Sequence, residues 1–489
     1  MNDATDLHTN SLTHGLVGTI PVRIELLILC LLVLGAFFIR VVRLGSYPDT
    51  VLADEADNAQ TAAQILYGRP PENGFFGLDW TDQPALSVYK EAGFIAIFGF
   101  NIMAIRLSSA LISALALIPF YLLLRRQFSV LSSSLASALL ATDVWFLNFS
   151  RSGWNCIDIA FYMLMAMLFL ILAINVMVSA SQKTLRTWGY FAASGFFCAL
   201  GLYGYPSGRT ITLAVAAFFP ISLIFYRKKF RILLLGYIIL FGVEAVVFAP
   251  EAGYIVRNWQ LFNTRINDVL ILNNPAYQAN PIGTMWHKLG NNIQGPWIGS
   301  VNKTPQYSPA GEPQLDRFTG ILVLIGMILS FVDYHVRRRP ETWLWWLMLL
   351  TGWAFTQLTT INTPNGARGI GYMPTLVYFA GISLDMIVMV LARTTAGCNL
   401  PLLSSRLSVA LLAVVVLMVG YINVRHYVDW QNNPKTRVTR YLYVTAREFP
   451  EWTEEVIDRI KANRYIINVG MWRDMHPISN IANPYGVTP

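Results

Sequence analysis

Long apolar runs separated by short polar segments occupy most of the chain. An α-helix needs roughly 18 or more apolar residues to cross a ~30 Å hydrocarbon core. The sequence contains about eleven such runs, over 22–44, 93–124, 128–147, 156–178, 187–205, 209–226, 230–250, 318–335, 342–360, 370–392 and 406–424. This pattern predicts an all-α polytopic membrane protein, a class that agrees with a content of 54% hydrophobic and only 13% charged residues.

Every second loop between these runs is basic. Because short cytoplasmic loops hold most of the Lys and Arg residues of such proteins, this alternation predicts a cytoplasmic amino-terminal tail over 1–21. With the scarcity of cysteine, it also fits a plasma (inner) membrane location with the longer loops facing outward; an endoplasmic reticulum membrane would share this topology. The basic loops contain Arg125-Arg126, Lys183 with Arg186, Arg227-Lys228-Lys229, Arg337-Arg338-Arg339, and Arg393 with Arg406.

The formal net charge of +8 is explained by the same loops. Since no basic face is interleaved with aromatic residues, we expect no nucleic-acid partner. The four cysteines form no disulfide framework and have no zinc-site spacing. The first apolar run is too long for the core of a signal peptide and lacks a cleavage site, so we expect it to remain as the first span.

The organisation that follows is a membrane domain over 22–424 with outer loops at 45–92 and 251–317. In the first loop, Asp57 to Tyr67 is predicted to be a short amphipathic helix, ended by Gly68. The remaining 425–489 are predicted to be a small α/β tail on the outer side. That tail has a helical pattern over 451–463 followed by one strand over 465–469.

An acidic cluster, Asp54-Glu55-Ala56-Asp57, comes directly after the first apolar run. Ionisable groups at the membrane edge often mark a substrate or ion path. We therefore interpret Asp54 and Glu55 as catalytic, with Asp54 as the base on the outer side. The alternative is that the pair only caps the following helix, because acidic residues favour helix starts.

Four further motifs place polar and aromatic residues beside the ends of spans. They are Asp82-Gln83-Pro84-Ala85-Leu86 with Tyr89, the turn from Ser150 to Asp158, the stretch from Gly201 to Arg209, and the stretch from Pro364 to Pro374. With the acidic cluster and the order of spans over 20–425, these motifs resemble the GT-C glycosyltransferases that use lipid-linked sugars. The chain is similar to the protein O-mannosyltransferases and the aminoarabinose transferases of that group.

The resemblance implies that the Asp54-Glu55 pair supplies the catalytic Asp and that the other motifs bind substrate. The substrate-binding positions that it implies are Asp82, Gln83, Tyr89, Arg151, Asp158, Tyr205, Arg209 and Arg368. The chain departs from the family at Gln83, where Lys or His is common, and at Ala85, where a second Pro is common. Contact of this loop with phosphate is therefore in question.

The implied reaction explains why cations and one carboxylate would be gathered at one site. A polyprenyl-phosphate sugar has a leaving group that is already anionic, and Arg recognises phosphate through paired donors. The attacking acceptor, a lipid, glycan or protein, must lose a proton to a positioned carboxylate. The prediction is thus an inverting membrane glycosyltransferase that needs no nucleotide sugar at its site.

Several alternatives stay open at this stage. Arg151, Arg209 and Arg368 could anchor lipid headgroups, and Asp158 could form a purely structural ion pair. No metal site is assigned, although a divalent metal between the Asp54-Glu55 pair and a histidine is a further alternative. A transporter or flippase of a lipid-linked glycan, or an inactive homologue that only binds, would also have these features.

Overall fold

The computed structural model describes residues 21–48, 53–66, 75–76, 85–179, 185–299, 309, 311–337, 339–361, 363–396 and 401–433. The first half of this described part contains helices α1 to α9. Their bounds are α1 Val22–Val41, α2 Ala53–Leu66, α3 Leu86–Phe98, α4 Ile102–Leu115, α5 Leu117–Arg125, α6 Val130–Thr142, α7 Val144–Ser150, α8 Asp158–Ser179 and α9 Leu185–Gly204.

The second half contains ten further helices. Their bounds are α10 Arg209–Phe225, α11 Phe230–Arg257, α12 Trp259–Val269, α13 Pro275–Ala279, α14 Pro281–Gln294, α15 Arg317–Arg337, α16 Glu341–Trp353, α17 Gly366–Gly369, α18 Met373–Ala396 and α19 Pro401–Asn432. The described ranges contain no β-strand, only one isolated bridge between Leu270 and Thr360. The prediction of an all-α polytopic membrane protein is confirmed.

All eleven predicted spans coincide with helices, but not all of them satisfy the criteria for a membrane span. Within the described ranges, seven helices are long and apolar enough to cross a membrane, and an eighth span results if the bent pair α6 and α7 is counted as one. That pair bends by 61° at Asp143. The count of eleven therefore stays a prediction.

The predicted run over 93–124 is broken. Its first part belongs to α3, which ends at Gly99 with a φ of +80°, and a new helix begins after Asn101. The Asn101 side chain accepts a hydrogen bond from the Ala104 backbone, a standard amino-terminal cap. A glycine followed by a capping residue ends one helix and starts another, a local signal that the continuous hydrophobicity obscures.

The bundle is organised around α8, which packs against α9, while α9 in turn packs against α11. Helix α18 lies against α15 and α6, and α1 lies against α4 and α6. Helices α2 and α3 pack together through an alanine-rich face and form a separate small core, with Ala59, Ala62, Ala63 and Val88 fully buried. The predicted helix over 57–67 is therefore α2, which begins early enough to include Asp54 and Glu55.

The two ends of the bundle differ in charge. At one end, which we call the basic end, Arg125 pairs with Glu25 at the start of α1, and Arg339 donates to the carbonyl of Gln127. Helices α2 and α3 lie at the opposite end, which we call the α2 end. Two of the basic loops that the sequence predicts on one side, those of Arg125 and Arg339, thus lie at one end, away from the acidic cluster.

Helix α19 continues to Asn432 and so passes the predicted domain boundary at 424. The helix and strand predicted over 451–469, and the cytoplasmic tail predicted over 1–20, lie outside the described residues.

Candidate functional site

The first turn of α2 is fixed by a buried ion pair. Arg106 in α4 donates from Nε to Glu55 Oε1 at 2.6 Å and from Nη2 to Glu55 Oε2 at 3.3 Å. The backbone amide of Gly153 donates to the same Oε1 at 2.9 Å. A side chain at position 153 would collide with Ile105 and press on Glu55, so this close approach requires glycine.

Asp54 precedes this pair and is only half-buried, whereas Glu55 is fully buried. Adjacent helical residues point about 100° apart, so the fixed orientation of Glu55 also sets the direction of Asp54. Its negative charge acts on the thiol of Cys156, in the turn over Asn155–Ile157 that precedes α8, as does that of Asp158. The two aspartates are therefore neighbours of one turn.

Asp158, the first residue of α8, is fully buried and forms an ion pair with Lys90 of α3. Lys90 Nζ lies 2.6 Å from each Asp158 carboxylate oxygen, and the hydroxyl of Ser87 lies 3.0 Å from Oδ2. The Lys90 side chain retains 18% exposure. The sequence predicts either an ion-pair partner or a substrate for Asp158, and in the structure its partner is Lys90. The sequence analysis missed Lys90 because no motif surrounds it.

A second residue that the sequence reasoning missed is the acidic Glu91, which lies beside Lys90 in α3. It is buried, and no described residue donates to its Oε1. Burial raises the pKa of Glu91 well above its usual range; Lys90 opposes the shift, while the charges of Glu55 and Asp158 add to it. Glu91 therefore holds its proton to a higher pH than an exposed glutamate does.

Arg151 lies elsewhere, beneath the end of α1. Its guanidinium donates four hydrogen bonds of 2.7 to 2.9 Å to the backbone carbonyls of Ile39, Arg40, Val42 and Tyr47. The group also lies over the rings of Tyr47 and Tyr427. Arg151 thus satisfies the carbonyls that a helix end leaves without intrahelical partners, which a linear motif cannot reveal.

Arg209 begins α10 after a tight turn over Pro206–Gly208. A side chain at Gly208 would collide with the carbonyl of Gly201, so the glycine lets the turn pack onto the end of α9. Tyr205 is buried at the start of this turn. Arg209 itself is exposed, lies 4.9 Å over the ring of Phe262, and is electrostatically close to Glu251.

Arg368 lies in α17, which packs against both the Asn155–Ile157 turn and the Pro206–Gly208 turn. Its Nη1 donates to the carbonyl of Ile361 at 2.8 Å. Lys288 of α14, missed in the sequence, donates to the carbonyl of Thr360 and to Thr363 Oγ1. Burial and the nearby charge of Arg368 lower the pKa of Lys288 to about 8.

Tyr89 lies one residue before Lys90 and stacks on Phe75, with ring centroids 4.4 Å apart. Its hydroxyl donates to the Phe75 carbonyl at 2.9 Å. Asp82 and Gln83 lie outside the described residues.

The α2 end thus brings together Asp54, Asp158 and the turns that carry Arg209 and Arg368, with Lys90 and Lys288 as added cations. Arg151 is separate from them, and Glu55 serves as the partner of Arg106. In the described part of the chain, no three His, Cys, Asp or Glu side chains group closely enough to hold a metal ion.

Comparison with known proteins adds a family match over part of the chain. A family model described as dolichyl-phosphate-mannose-protein mannosyltransferase matches residues 82–253. That stretch, about a third of the sequence, contains Lys90, Asp158 and Arg209 but not Asp54 or Arg368. No curated protein matches the chain in sequence.

Three solved structures are similar over most of the chain. The apo oligosaccharyltransferase of Archaeoglobus fulgidus aligns with a TM-score of 0.60 at 14% identity, covering 90% of this chain and 60% of that one. The same organism's AglB, in complex with an inhibitory peptide and a dolichol-phosphate, aligns with a TM-score of 0.58 at 15% identity and the same coverage. ArnT from Cupriavidus metallidurans, bound to undecaprenyl phosphate, aligns at 0.50 and 13% identity, covering 84% of this chain and 75% of that one.

The chain therefore spans about 60% of the length of the archaeal oligosaccharyltransferase that it matches.

Proposed function

Because the chain has the fold of the GT-C membrane glycosyltransferases, we propose that it transfers a sugar from a polyprenyl-phosphate carrier to a lipid, glycan or protein acceptor. The main observation in support is that the Glu55–Arg106 pair fixes the first turn of α2. Asp54, in that turn, is half-buried beside the turn that precedes α8. The structural neighbours bound to dolichol-phosphate and undecaprenyl phosphate support a lipid-phosphate donor.

Asp54 is the proposed general base. The acceptor hydroxyl or amine attacks the anomeric carbon, its proton passes to the Asp54 carboxylate, and the bond between that carbon and the phosphate oxygen breaks. The electron pair of the broken bond stays on the phosphate, so no acid is needed to protonate the leaving group. Attack opposite to the leaving group inverts the anomeric carbon. Glycosidases pair two carboxylates, one of them a protonated acid, and the anionic phosphate removes the need for that acid.

Cations at the α2 end are proposed to stabilise the charge that gathers on the departing phosphate. Lys90, Arg209 and Arg368 all lie on elements that meet there and keep their side chains at least partly exposed. In the family a Lys or His often stands at the position of Gln83. We propose that Lys90 makes the phosphate contact in place of that residue. Asp158 then orients the Lys90 ammonium, which keeps one N–H available after bonding both carboxylate oxygens.

Glu55 and Arg151 receive positioning roles in this proposal. The bonds of Glu55 go to Arg106 and Gly153, and those of Arg151 go to four carbonyls around the end of α1. Both groups hold the segments on either side of Asp54. We propose an outward-facing site, since the basic end carries the charge that cytoplasmic loops usually hold.

The test is sugar transfer by the detergent-purified protein with radiolabelled sugars on short polyprenyl phosphates, scored by release of the free lipid phosphate. Asp54→Asn should lower the rate by about 100-fold or more, as loss of a general base does. Asp268→Asn, an exposed aspartate in α12 away from this turn, is the matched control and should be unchanged. Equal rates for Asp54→Asn and the wild type would remove Asp54 as the base.

Release by neither protein, with folded samples and several donors, would favour transport without turnover or an inactive homologue. Movement of a lipid-linked sugar across the membrane of proteoliposomes then separates the two, because an inactive homologue could still bind the carrier but would not move it.

A further inference from the structure

Helix α14 has an apolar face that no residue in the described part of the chain covers. Exposure is 74% for Ile282, 68% for Trp286 and 51% for Ile293. At 100° per residue, these three side chains fall within about 40° of one another around the helix. They form a narrow stripe along its whole length.

The opposite side of α14 is fixed to the bundle. Lys288 and Asn292 are buried, and both contact Thr363 Oγ1, at 2.7 and 3.2 Å. The third side is polar, with the exposed His287 bonded to Asn291 at 3.0 Å. The helix is therefore held in one rotation, and the apolar stripe cannot turn inward.

The position of α14 places this stripe at the level where the spans end. Thr360 and Thr363 follow α16, and α14 packs against the turn after that helix. The apolar surface of spanning helix α11 is exposed up to Val256, at 74%, and continues at Trp259 in α12. Aromatic side chains are enriched at this depth in membrane proteins.

The lack of acidic residues in α14 also fits a membrane surface. Its sequence contains no Asp or Glu, and its charged side chain is Lys288. Interfacial helices combine a narrow apolar face with a polar or basic remainder, and they lie in the plane of the headgroups.

We propose that α14 is an interfacial helix whose Ile282, Trp286 and Ile293 side chains insert into the lipid at the α2 end of the protein. This inference concerns lipid contact and does not depend on sugar transfer.

Collision accessibility of spin labels tests the proposal. The protein carries Cys30→Ser and Cys398→Ser, and a nitroxide is attached at Ile282→Cys, Trp286→Cys or His287→Cys, since His287 is exposed on the polar side. Samples are nanodiscs of phosphatidylethanolamine and phosphatidylglycerol. Labels at 282 and 286 should collide with dissolved oxygen several-fold more, and with a water-soluble nickel chelate several-fold less, than the label at 287.

Equal access of the nickel chelate to all three labels would show a water-facing stripe and overturn the proposal. Protection of 282 and 286 from both reagents would show that protein, such as a second copy, covers the stripe, and would overturn it as well. Ile293→Cys repeats the test at the other end of the helix if a variant fails to fold. The collision assay does not depend on sugar transfer. The lipid-contact proposal can therefore be refuted while the proposed function holds, and the proposed function can be refuted while the lipid contact holds.

Discussion

Arg106 donates to both carboxylate oxygens of Glu55, and the two side chains are 1% and 0% exposed. This pair joins α4 to the first turn of α2 and orients the residue before it, Asp54. Placing two charges out of water is costly, so the pair contributes to geometry more than to net stability. Its removal is informative for that reason.

Glu55→Gln should destabilise the protein strongly because it leaves the Arg106 charge buried without a carboxylate. The expected loss is about 3–5 kcal/mol, measured as a shift in the midpoint of denaturant unfolding in detergent. Glu25→Gln, which breaks the partly exposed pair with Arg125, is the control and should cost about 1 kcal/mol or less. Similar losses for the two variants would show that the Glu55 pair has no special role.

Lys90 and Asp158 should act as one unit in catalysis. Lys90→Met removes the proposed phosphate contact, and Asp158→Asn removes the group that orients it, so each should lower kcat/KM. The double variant should be no slower than Lys90→Met alone, a non-additivity of about 0.5–3 kcal/mol in a double-mutant cycle. Effects that multiply would place the two residues in separate roles.

Substitution of Arg151 and of Arg368 by Lys should have different effects, because we propose a structural role for Arg151 and a substrate-binding role for Arg368. Arg151→Lys cannot keep all four carbonyl bonds and should lower the free energy of unfolding by about 2–3 kcal/mol, with the donor KM unchanged in folded protein. Arg368→Lys should raise the donor KM about tenfold, since paired donors to phosphate are lost, at a stability cost within about 1 kcal/mol. The reverse pattern would exchange the two assignments.

Glu91→Gln should have nearly wild-type stability at low pH, where Glu91 is protonated in both the folded and the unfolded protein, and should be more stable than the wild type at higher pH. Because the folded-state pKa of Glu91 is raised above its unfolded value, the stability it confers is full at low pH and is lost as pH rises toward the folded-state value. The difference in unfolding free energy between wild type and Glu91→Gln should therefore decrease with increasing pH. A difference that is constant, or that grows with pH, would contradict a protonated Glu91.

The elements that depend on one stretch of chain could be predicted from the sequence. The helix expected over 57–67 is present as α2, although it begins at Ala53 and includes the acidic cluster, because its amphipathic pattern is a local signal. The break at Gly99 was obscured by continuous hydrophobicity on both sides. Lys90, Arg106, Gly153 and Lys288 have no local signal, because each matters through a partner at least 51 positions away.

Composition and the spacing of apolar runs by themselves determined the membrane class and the all-α architecture, because a helix must be long and apolar to exist in lipid. The short polar motifs added the resemblance to the GT-C glycosyltransferases. The sequence also indicated which polar motifs lie near span ends. Only the tertiary structure decided what each charge does. In the folded protein Glu55 pairs with Arg106, Asp158 pairs with Lys90, and Arg151 donates to four carbonyls. A buried charge needs a partner, and which distant residue becomes that partner depends on how the helices pack.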